Sequence, residues 1–139
     1  MTGFRVAKSV RFAHCDPAGI VFFPRYFELL NEVVEDWFAG PLESAFGALH
    51  LDERRGVPTV RLEADFVAPS RLGDVLDFTL TVADLGRASC RLVTMADCGA
   101  ERRAAFRHTL VHVGPGVMKS TPWPEDLRRR IAVFVASAG

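Results

Sequence analysis

The sequence of 139 residues predicts an α+β domain in which an antiparallel sheet of about five strands wraps around one long central helix. Three observations lead to this fold class. One segment carries apolar residues at helical spacing over about half of its circumference. Several other segments alternate apolar and polar residues as strands do, and short turn signals separate them. Because so broad an apolar helix face needs a sheet packed over it, we expect a single domain, residues 1–139.

The first predicted element is a half-buried strand at residues 4–12. Its even positions are apolar except for Lys8, and its odd positions are polar except for Ala7. The strand leads directly into His14, Cys15 and Asp16. If it persists that far, His14 and Asp16 share one face and Cys15 lies on the other.

From Pro24 the apolar period changes from two to about 3.6, which predicts a long amphipathic helix that ends at Gly40 and Pro41. Residues 42–56 are expected to form a further short helix or an irregular connection. The apolar helix positions are Tyr26, Phe27, Leu29, Leu30, Val33, Val34, Trp37 and Phe38.

The second half of the chain is rich in strand signals. Four consecutive β segments joined by short turns imply an antiparallel sheet. The segments are 57–68, 75–85, 88–97 and 101–113. Residues 121–134 then begin with prolines and acids and continue with apolar residues at helical spacing, which predicts a C-terminal helix.

Composition and charge exclude several classes of function. The chain is 49% hydrophobic, and 17 basic residues balance 17 acidic ones, so no overall field would hold nucleic acid or a membrane surface. The N-terminus lacks the apolar stretch of a signal peptide, and no run approaches the roughly 18 apolar residues of a membrane span. We expect a cytoplasmic protein that binds neither nucleic acid nor membrane.

The cysteines and histidines do not predict a metal site. Cys15, Cys90 and Cys98 are odd in number and lack a CxxC spacing, so reduced thiols are expected. His108 and His112 have the HxxxH spacing that binds zinc on a helix, but the surrounding residues alternate like a strand. We therefore expect no metal and no cofactor.

Residues 14–27, HCDPAGIVFFPRYF, fit no single secondary structure. The residue before a proline is disfavoured in the helical region, so Pro17 keeps Asp16 extended and its carboxylate points off the end of the strand. Gly19 permits unusual dihedral angles and lets a ligand approach the backbone closely. The segment therefore presents a carboxylate beside an open stretch of backbone.

The same segment presents backbone donors. Pro24 suits the first turn of a helix, so free amides near Phe23 and Arg25 would lie at the positive end of a helix dipole. Such amides stabilise an oxyanion, while Asp16 either directs a water as general base or attacks as a nucleophile to give an anhydride. These groups in an apolar pocket suit the hydrolysis of an activated acyl compound, such as a thioester.

Two residues of this motif also have plain structural interpretations. His14 could tune Asp16 or orient a water, or it could form a structural hydrogen bond at the end of the strand. Asp16 could be an ordinary Asp-Pro turn former, an interpretation that the neighbouring Gly19 and Pro24 disfavour.

The string DPAGIVFFPRY, residues 16–26, closely resembles the signature of the 4-hydroxybenzoyl-CoA thioesterase family of hotdog-fold proteins. The string FVAPSRLGD, residues 66–74, is similar to a turn between long strands in that family. The resemblance implies a hotdog fold and hydrolysis of an acyl-CoA. It gives Asp16 the role of catalytic carboxylate and the amide of Phe23 the thioester oxygen. It also implies a dimer joined sheet edge to sheet edge, often paired again into a homotetramer.

The resemblance implies contacts to coenzyme A and to the acyl group. Arg87 and Ser89 lie where the family places nucleotide contacts, although Ala88 replaces a frequent lysine. Residues 128–130, three arginines, form a further basic patch or a solvated helix face. Asn31 is at a position where the family can place a polar residue facing the acyl pocket, which would suit a phenol or another polar ring substituent, or it is solvated or bonded to the backbone. The aromatic residues at 22, 23, 26 and 27 favour a flat or bulky acyl group, so a benzoyl or hydroxybenzoyl ester is expected.

Two other functions are compatible with the same scaffold. A hotdog acyl-CoA hydratase or dehydratase needs a histidine and a carboxylate, which His14 and Asp16 could supply. A non-catalytic acyl-CoA-binding module needs neither, and the fold alone does not distinguish it from an enzyme. Release of free thiol separates a thioesterase from both alternatives.

Overall fold

The computed structural model describes residues 3–136, so both ends of the predicted domain, 1–139, lie outside the described residues. In this range the chain forms five strands and two α-helices, and the predicted α+β class is confirmed. The elements are β1 (Phe4–Ser9), a 3-10 turn (Phe12–His14), α1 (Phe23–Ala39), a π-helical turn (Gly47–Asp52), β2 (Thr59–Phe66), β3 (Val75–Leu85), β4 (Ser89–Cys98), β5 (Glu101–Val111) and α2 (Glu125–Ala132).

The five strands form one antiparallel sheet in the order β1-β3-β4-β5-β2. β3, β4 and β5 follow one another as hairpins, as the short turns predicted. β2 and β3 are consecutive in sequence but lie at different places in the sheet, because residues 67–74 carry the chain from the β2 edge to the strand beside β1. The predicted antiparallel sheet is therefore present, with β2 at its edge beside β5.

The core forms between α1 and the inner face of the sheet. The predicted apolar face of α1 is buried at seven positions: Tyr26, Leu29, Leu30, Val33, Val34, Trp37 and Phe38. Alternate residues of β3, β4 and β5 are buried opposite them. Burial of each large apolar side chain is worth about 1.5–3 kcal/mol, so this contact dominates the stability of the fold.

β1 is shorter than predicted. Its even positions point inward, and the Lys8 ammonium pairs with Asp36 at 2.7 Å and Glu32 at 3.3 Å on α1. The strand stops at Ser9 because the backbone then turns, with the His14 and Cys15 amides donating to the carbonyls of residues 11 and 12. The predicted continuation of the strand to residue 12 and into the motif is wrong, so the shared face of His14 and Asp16 does not exist.

The two helices agree closely with the sequence expectation. α1 carries Pro24 in its first turn and ends where the Gly40 amide donates to the Asp36 carbonyl. α2 buries Leu127 and Ile131 against the sheet. Neither helix in the described part of the chain is long and apolar enough to cross a membrane.

A buried polar pair lies inside the sheet. His108 Nε2 on β5 is 3.1 Å from Thr94 Oγ1 on β4, and both side chains are buried. Burial disfavours the charged imidazolium and lowers the pKa of His108 to about 4. The folded protein therefore keeps His108 neutral in a pH range where the unfolded chain takes up a proton.

This difference predicts acid sensitivity of the fold. Between pH 7 and pH 5 the unfolded state binds more protons at residue 108, so the wild-type free energy of unfolding should fall by about 2 kcal/mol more than that of His108→Gln. The glutamine can still bond to Thr94 but does not titrate. Urea unfolding of both proteins across this range measures the difference, and parallel pH profiles would contradict it.

Candidate active site

The Asp16 carboxylate lies in a tight turn at the start of the motif. Its Oδ1 accepts the Ala18 amide at 2.9 Å, its backbone N–H donates to the Ile20 carbonyl, and its carbonyl accepts the Gly19 amide. Asp16 is half-buried. Among the described residues no protein donor contacts Oδ2, so one carboxylate oxygen is available to a water or a substrate.

Gly19 makes this turn possible. Its φ is +79°, a conformation that L side chains rarely adopt, and a Cβ built there would meet nothing within 4 Å. The expected opening above the backbone is therefore present. The Gly19 amide itself donates to Asp16 and does not point at a ligand.

Phe23 is the first residue of α1, and its amide has no acceptor within residues 3–136. The amide of Phe22 donates to the His14 carbonyl, and Pro24 has no N–H. The Arg25 amide donates to the Phe22 carbonyl at 2.8 Å, so the expected second free amide at Arg25 is wrong. The Phe23 N–H therefore stays unpaired, among the described residues, at the positive end of α1.

An exposed aromatic patch, defined by Phe22, Phe23 and Phe66, adjoins this amide. The three side chains are 49%, 55% and 45% exposed. Ring centroids lie 5.6 Å apart for Phe22 and Phe23 and 6.0 Å apart for Phe23 and Phe66. The patch places an exposed apolar surface beside the Phe23 amide.

His14 does not join this group. Its Nδ1 accepts the Arg11 amide at 2.9 Å, and its ring lines a separate cavity with Lys8 and Glu32. In the described part of the chain its ring makes no hydrogen bond to Asp16. This agrees with the interpretation of His14 as a structural hydrogen-bonding residue and not with a tuning role.

Asn31 lines a cavity of about 400 Å³ between α1 and the edge of the sheet near the start of β2. Three other polar residues line it that the sequence did not single out: Glu35 on α1, His50 in the π-helical turn and Thr59 at the start of β2. His50 donates from Nδ1 to the Phe46 carbonyl at 3.1 Å, which leaves Nε2 as an acceptor. Glu35 could have been predicted from the sequence, because it lies four residues after Asn31 and therefore on the same helix face. No local sequence pattern pointed to His50.

The basic residues proposed for coenzyme A fall into two groups. Arg87 and Arg128 line a common cavity of about 390 Å³ with Trp123, and Arg128 Nη1 donates to the Gly86 carbonyl at 2.6 Å. Ser89 adjoins this turn, and its carbonyl accepts the Trp123 indole N–H. The remaining two arginines of the helix are engaged elsewhere, Arg129 with Asp126 and Arg130 with Glu43.

The remaining thiols and imidazoles have structural surroundings. Cys15, Cys90 and Cys98 are free, and burial raises the pKa of Cys90 to about 12. His112 donates from Nδ1 to the Thr121 carbonyl at 2.8 Å, and its ring packs against Trp123 at a centroid distance of 5.3 Å and an interplanar angle of 35°. Between residues 3 and 136 no three potential metal-binding side chains converge.

Comparison with known proteins identifies the class to which this fold and site belong. The model of the thioesterase-like superfamily matches residues 10–131, and the chain belongs to that superfamily. Its sheet and helices form the hotdog fold, as the sequence resemblance implied. A solved member of the thioesterase superfamily from Jannaschia sp. CCS1 has a TM-score of 0.89 and 25% identity and covers 97% of this chain and 94% of its own.

More specific relatives occur among cyanobacterial proteins. A 1,4-dihydroxy-2-naphthoyl-CoA hydrolase from Synechocystis sp. is 28% identical over 92 residues, which are 65% of this chain and 66% of that enzyme. The crystal structure of a 1,4-dihydroxy-2-naphthoyl-CoA thioesterase from Synechocystis has a TM-score of 0.84 at 22% identity and covers 94% of this chain and 96% of its own. At that identity the structural match shows a shared fold.

The turn at Gly19 gives a direct test of the site's local geometry. Gly19→Ala should lower the free energy of unfolding by about 1–2 kcal/mol, because alanine is strained at positive φ. Gly47→Ala is the matched control, since its Cβ also meets nothing within 4 Å and its φ is not positive. Urea unfolding should separate the two variants, and equal stabilities would show that residue 19 tolerates a side chain.

Proposed function

We propose that this protein is an acyl-CoA thioesterase that hydrolyses an acyl-CoA to a free acid and coenzyme A. Membership of the thioesterase-like superfamily and relatives named as CoA hydrolases support a thioester hydrolase. One observation carries the proposal. Within eight residues of chain, the segment 16–23 presents both the Asp16 carboxylate, with one oxygen open, and the unpaired Phe23 amide at the start of α1, beside the aromatic patch.

The reaction needs only these groups and a water. The thioester carbonyl oxygen accepts the Phe23 N–H, which stabilises negative charge as the carbonyl carbon is attacked. With Asp16 as general base, water attacks, its proton passes to the carboxylate, and the intermediate expels the thiolate, which takes up that proton. With Asp16 as nucleophile, the carboxylate displaces the thiolate and water then hydrolyses the anhydride.

The surroundings of His14 disfavour the hydratase alternative. A hydratase needs an imidazole and a carboxylate that act together on the substrate. In the described chain His14 is bonded through Nδ1 to the Arg11 amide and makes no hydrogen bond to Asp16. A carboxylate without a histidine partner suits hydrolysis better than hydration.

The acyl group of the proposed substrate is aromatic. Phe23, Phe27 and Asn31 are four residues apart and follow one face of α1, with about 12 Å of helix between the first and the last. A carbonyl held at the Phe23 amide therefore directs its acyl group along α1, past the ring of Phe66, towards the cavity lined by Asn31. The cyanobacterial relatives act on a hydroxylated naphthoyl group, which supports a flat substrate with a polar substituent.

The phosphates of coenzyme A are proposed to bind at the cavity between β3, β4 and α2. Arg87 and Arg128 line this cavity, and Ser89 adjoins it. Because the overall charge is balanced, attraction for the phosphates must come from such a local pair of guanidinium groups.

The exposed strand β2 supports a homodimer. β2 pairs only with β5 in the described chain, and apolar side chains such as Val60 and Leu62 are exposed on it. A second copy added edge to edge would satisfy the free backbone groups and cover these side chains. Sedimentation should give at least twice the chain mass of 15.3 kDa, and a monomer at micromolar concentration would contradict the dimer. We also propose a cytoplasmic location, which is consistent with the three free cysteines.

Replacement of the carboxylate tests the catalytic assignment. Asp16→Asn should lower kcat for thiol release by about 100-fold or more, because the amide is neither a base nor a nucleophile. The asparagine oxygen can still accept the Ala18 amide, so folding and acyl-CoA affinity should be nearly unchanged. Asp77→Asn, an exposed carboxylate on β3, is the control and should keep the wild-type rate.

The outcomes separate the candidate functions. Hydrolysis by Asp16→Asn at the wild-type rate would contradict the role of this residue. Consumption of an enoyl-CoA without thiol release would identify a hydratase. Binding of acyl-CoA by the wild type without turnover of any tested ester would identify a non-catalytic module.

Substitution of Asn31 tests the proposed acyl group. Wild-type kcat/KM should be higher for 4-hydroxybenzoyl-CoA than for benzoyl-CoA, and Asn31→Leu should lower it about tenfold for the hydroxylated ester alone, since one hydrogen bond is lost. Benzoyl-CoA serves as the internal control. A screen that includes phenylacetyl and short aliphatic esters completes the test, and turnover of aliphatic esters only would contradict an aromatic substrate.

A further inference from the structure

A polar cluster built around a buried pair of hydroxyl groups lies beneath the start of α1. We define the Ser70 cluster as Tyr26 on α1, Ser70 and Asp74 in the connection 67–74, and Arg103 on β5. Tyr26 and Ser70 are 4% and 1% exposed, and their hydroxyl oxygens are 2.6 Å apart. The cluster thus joins three elements that are distant in sequence.

Arg103 binds the connection 67–74 through one guanidinium nitrogen. Its Nη1 donates to the Pro69 carbonyl at 3.1 Å, to Ser70 Oγ at 3.2 Å and to Asp74 Oδ2 at 2.8 Å. The Arg71 amide donates to the same Oδ2 at 2.9 Å, and this bond together with Arg103 lowers the pKa of Asp74. Asp74 is therefore ionised at neutral pH and holds Arg103 in place.

Such a cluster is a poor way to stabilise a core. Moving the two hydroxyl groups out of water costs free energy. The Arg103–Asp74 ion pair adds little stability, because its side chains are 13% and 27% exposed and solvent screens the attraction. Burial also raises the pKa of Tyr26, which keeps its phenol protonated and able to donate. What the cluster provides is a fixed geometry between the elements it joins.

Backbone hydrogen bonds connect the Ser70 cluster to the turn that carries Asp16. The Val21 amide donates to the Ser70 carbonyl at 2.9 Å, and the Leu72 amide donates to the Gly19 carbonyl at 3.1 Å. Gly19 is in turn bonded to Asp16. The backbone of Ser70 is therefore paired directly with the segment that sets the direction of the Asp16 carboxylate.

A side-chain hydrogen bond connects the Ser70 cluster to the start of α1. Tyr26 follows Phe23 by three residues, so both belong to the first turn of α1. The Tyr26 hydroxyl bonds to Ser70, and its ring contacts Phe66 of the aromatic patch at a centroid distance of 5.5 Å. The same serine thus holds the helix turn whose free amide is proposed to bind the thioester oxygen.

We propose that the Ser70 cluster is a positioning device that fixes the Asp16 carboxylate relative to the Phe23 amide, an inference that rests on the proposed thioesterase function. None of its side chains acts on the substrate. Its role is to keep the Asp16 carboxylate and the oxyanion donor in one rigid arrangement, where a displacement of about 1 Å costs up to about 100-fold in rate.

Two variants that cut the same hydrogen bond test this role. Ser70→Ala and Tyr26→Phe should each lower kcat for thiol release about tenfold and leave KM within about twofold, because the binding surface remains and the reacting geometry loosens. The double variant should be no slower than the slower single variant, since each change removes the same contact.

Thr94→Val is the matched control for loss of a buried hydroxyl. Thr94 is fully buried and bonded to His108 within the sheet, and in the described chain no hydrogen bond joins its side chain to residues 14–23. Its variant should lose stability comparable to that of Ser70→Ala but keep the wild-type kcat. Equal kcat values for Ser70→Ala and Thr94→Val would overturn the positioning role.

Hydrogen exchange gives a readout that does not depend on catalysis. The amides of Gly19 and Val21 should exchange at least fivefold faster in Ser70→Ala than in Thr94→Val. Faster exchange in a protein that hydrolyses no acyl-CoA would mean that the proposed function fails while the cluster still fixes the segment. Unchanged exchange would overturn the role of the cluster even if the wild type is an active thioesterase.

Discussion

The structure depends on burial of the apolar face of α1 against one face of the sheet. Trp37 and Phe38 are completely buried there, and Tyr26 near the other end of the helix packs on Phe106 of β5 at a centroid distance of 6.0 Å. Because side chains along the whole helix are locked in this way, the helix has little freedom to slide or rotate. The position of its first turn, and with it the Phe23 amide, is therefore set by packing that extends over the whole length of α1.

The motif before α1 takes the chain from β1 into the helix along a sharply turning path of few residues. The chain must leave β1, reverse, pair with residues 70–72 and enter a helix by Phe23. Each unusual residue has a part in this path. Pro17 follows the residue that opens the turn, and Gly19 adopts positive φ. Pro24 occupies a position in the first helical turn where no backbone N–H is needed. A path so constrained leaves Asp16 Oδ2 and the Phe23 amide without partners among residues 3–136. Local departures from regular structure are expected at functional sites, and here they produce the two groups on which the chemistry is proposed to rest.

The same packing that fixes α1 leaves β2 poorly covered. One edge of β2 pairs with β5, whereas its other edge and much of both faces are exposed, and its last residue, Phe66, completes the aromatic patch beside Phe23. The proposed acyl path between α1 and β2 is therefore bounded on one side by an edge that a second copy would cover. Substrate binding and association of two chains are, in this proposal, properties of one surface.

The sequence by itself determined the parts of this protein that follow from local rules. Helical periodicity located α1 almost to the residue, and proline and glycine chemistry singled out Asp16, Gly19 and Phe23, because caps, turns and dihedral limits act over a few residues. The tertiary structure decided what local rules do not contain: that β2 lies beside β5, that Arg87 and Arg128 share a cavity, and that His14 bonds to the Arg11 amide. It also brought Ser70 and Arg103 under the first turn of α1. These relations depend on strand order and on contacts between residues far apart in the chain, which only the packing of the complete core selects.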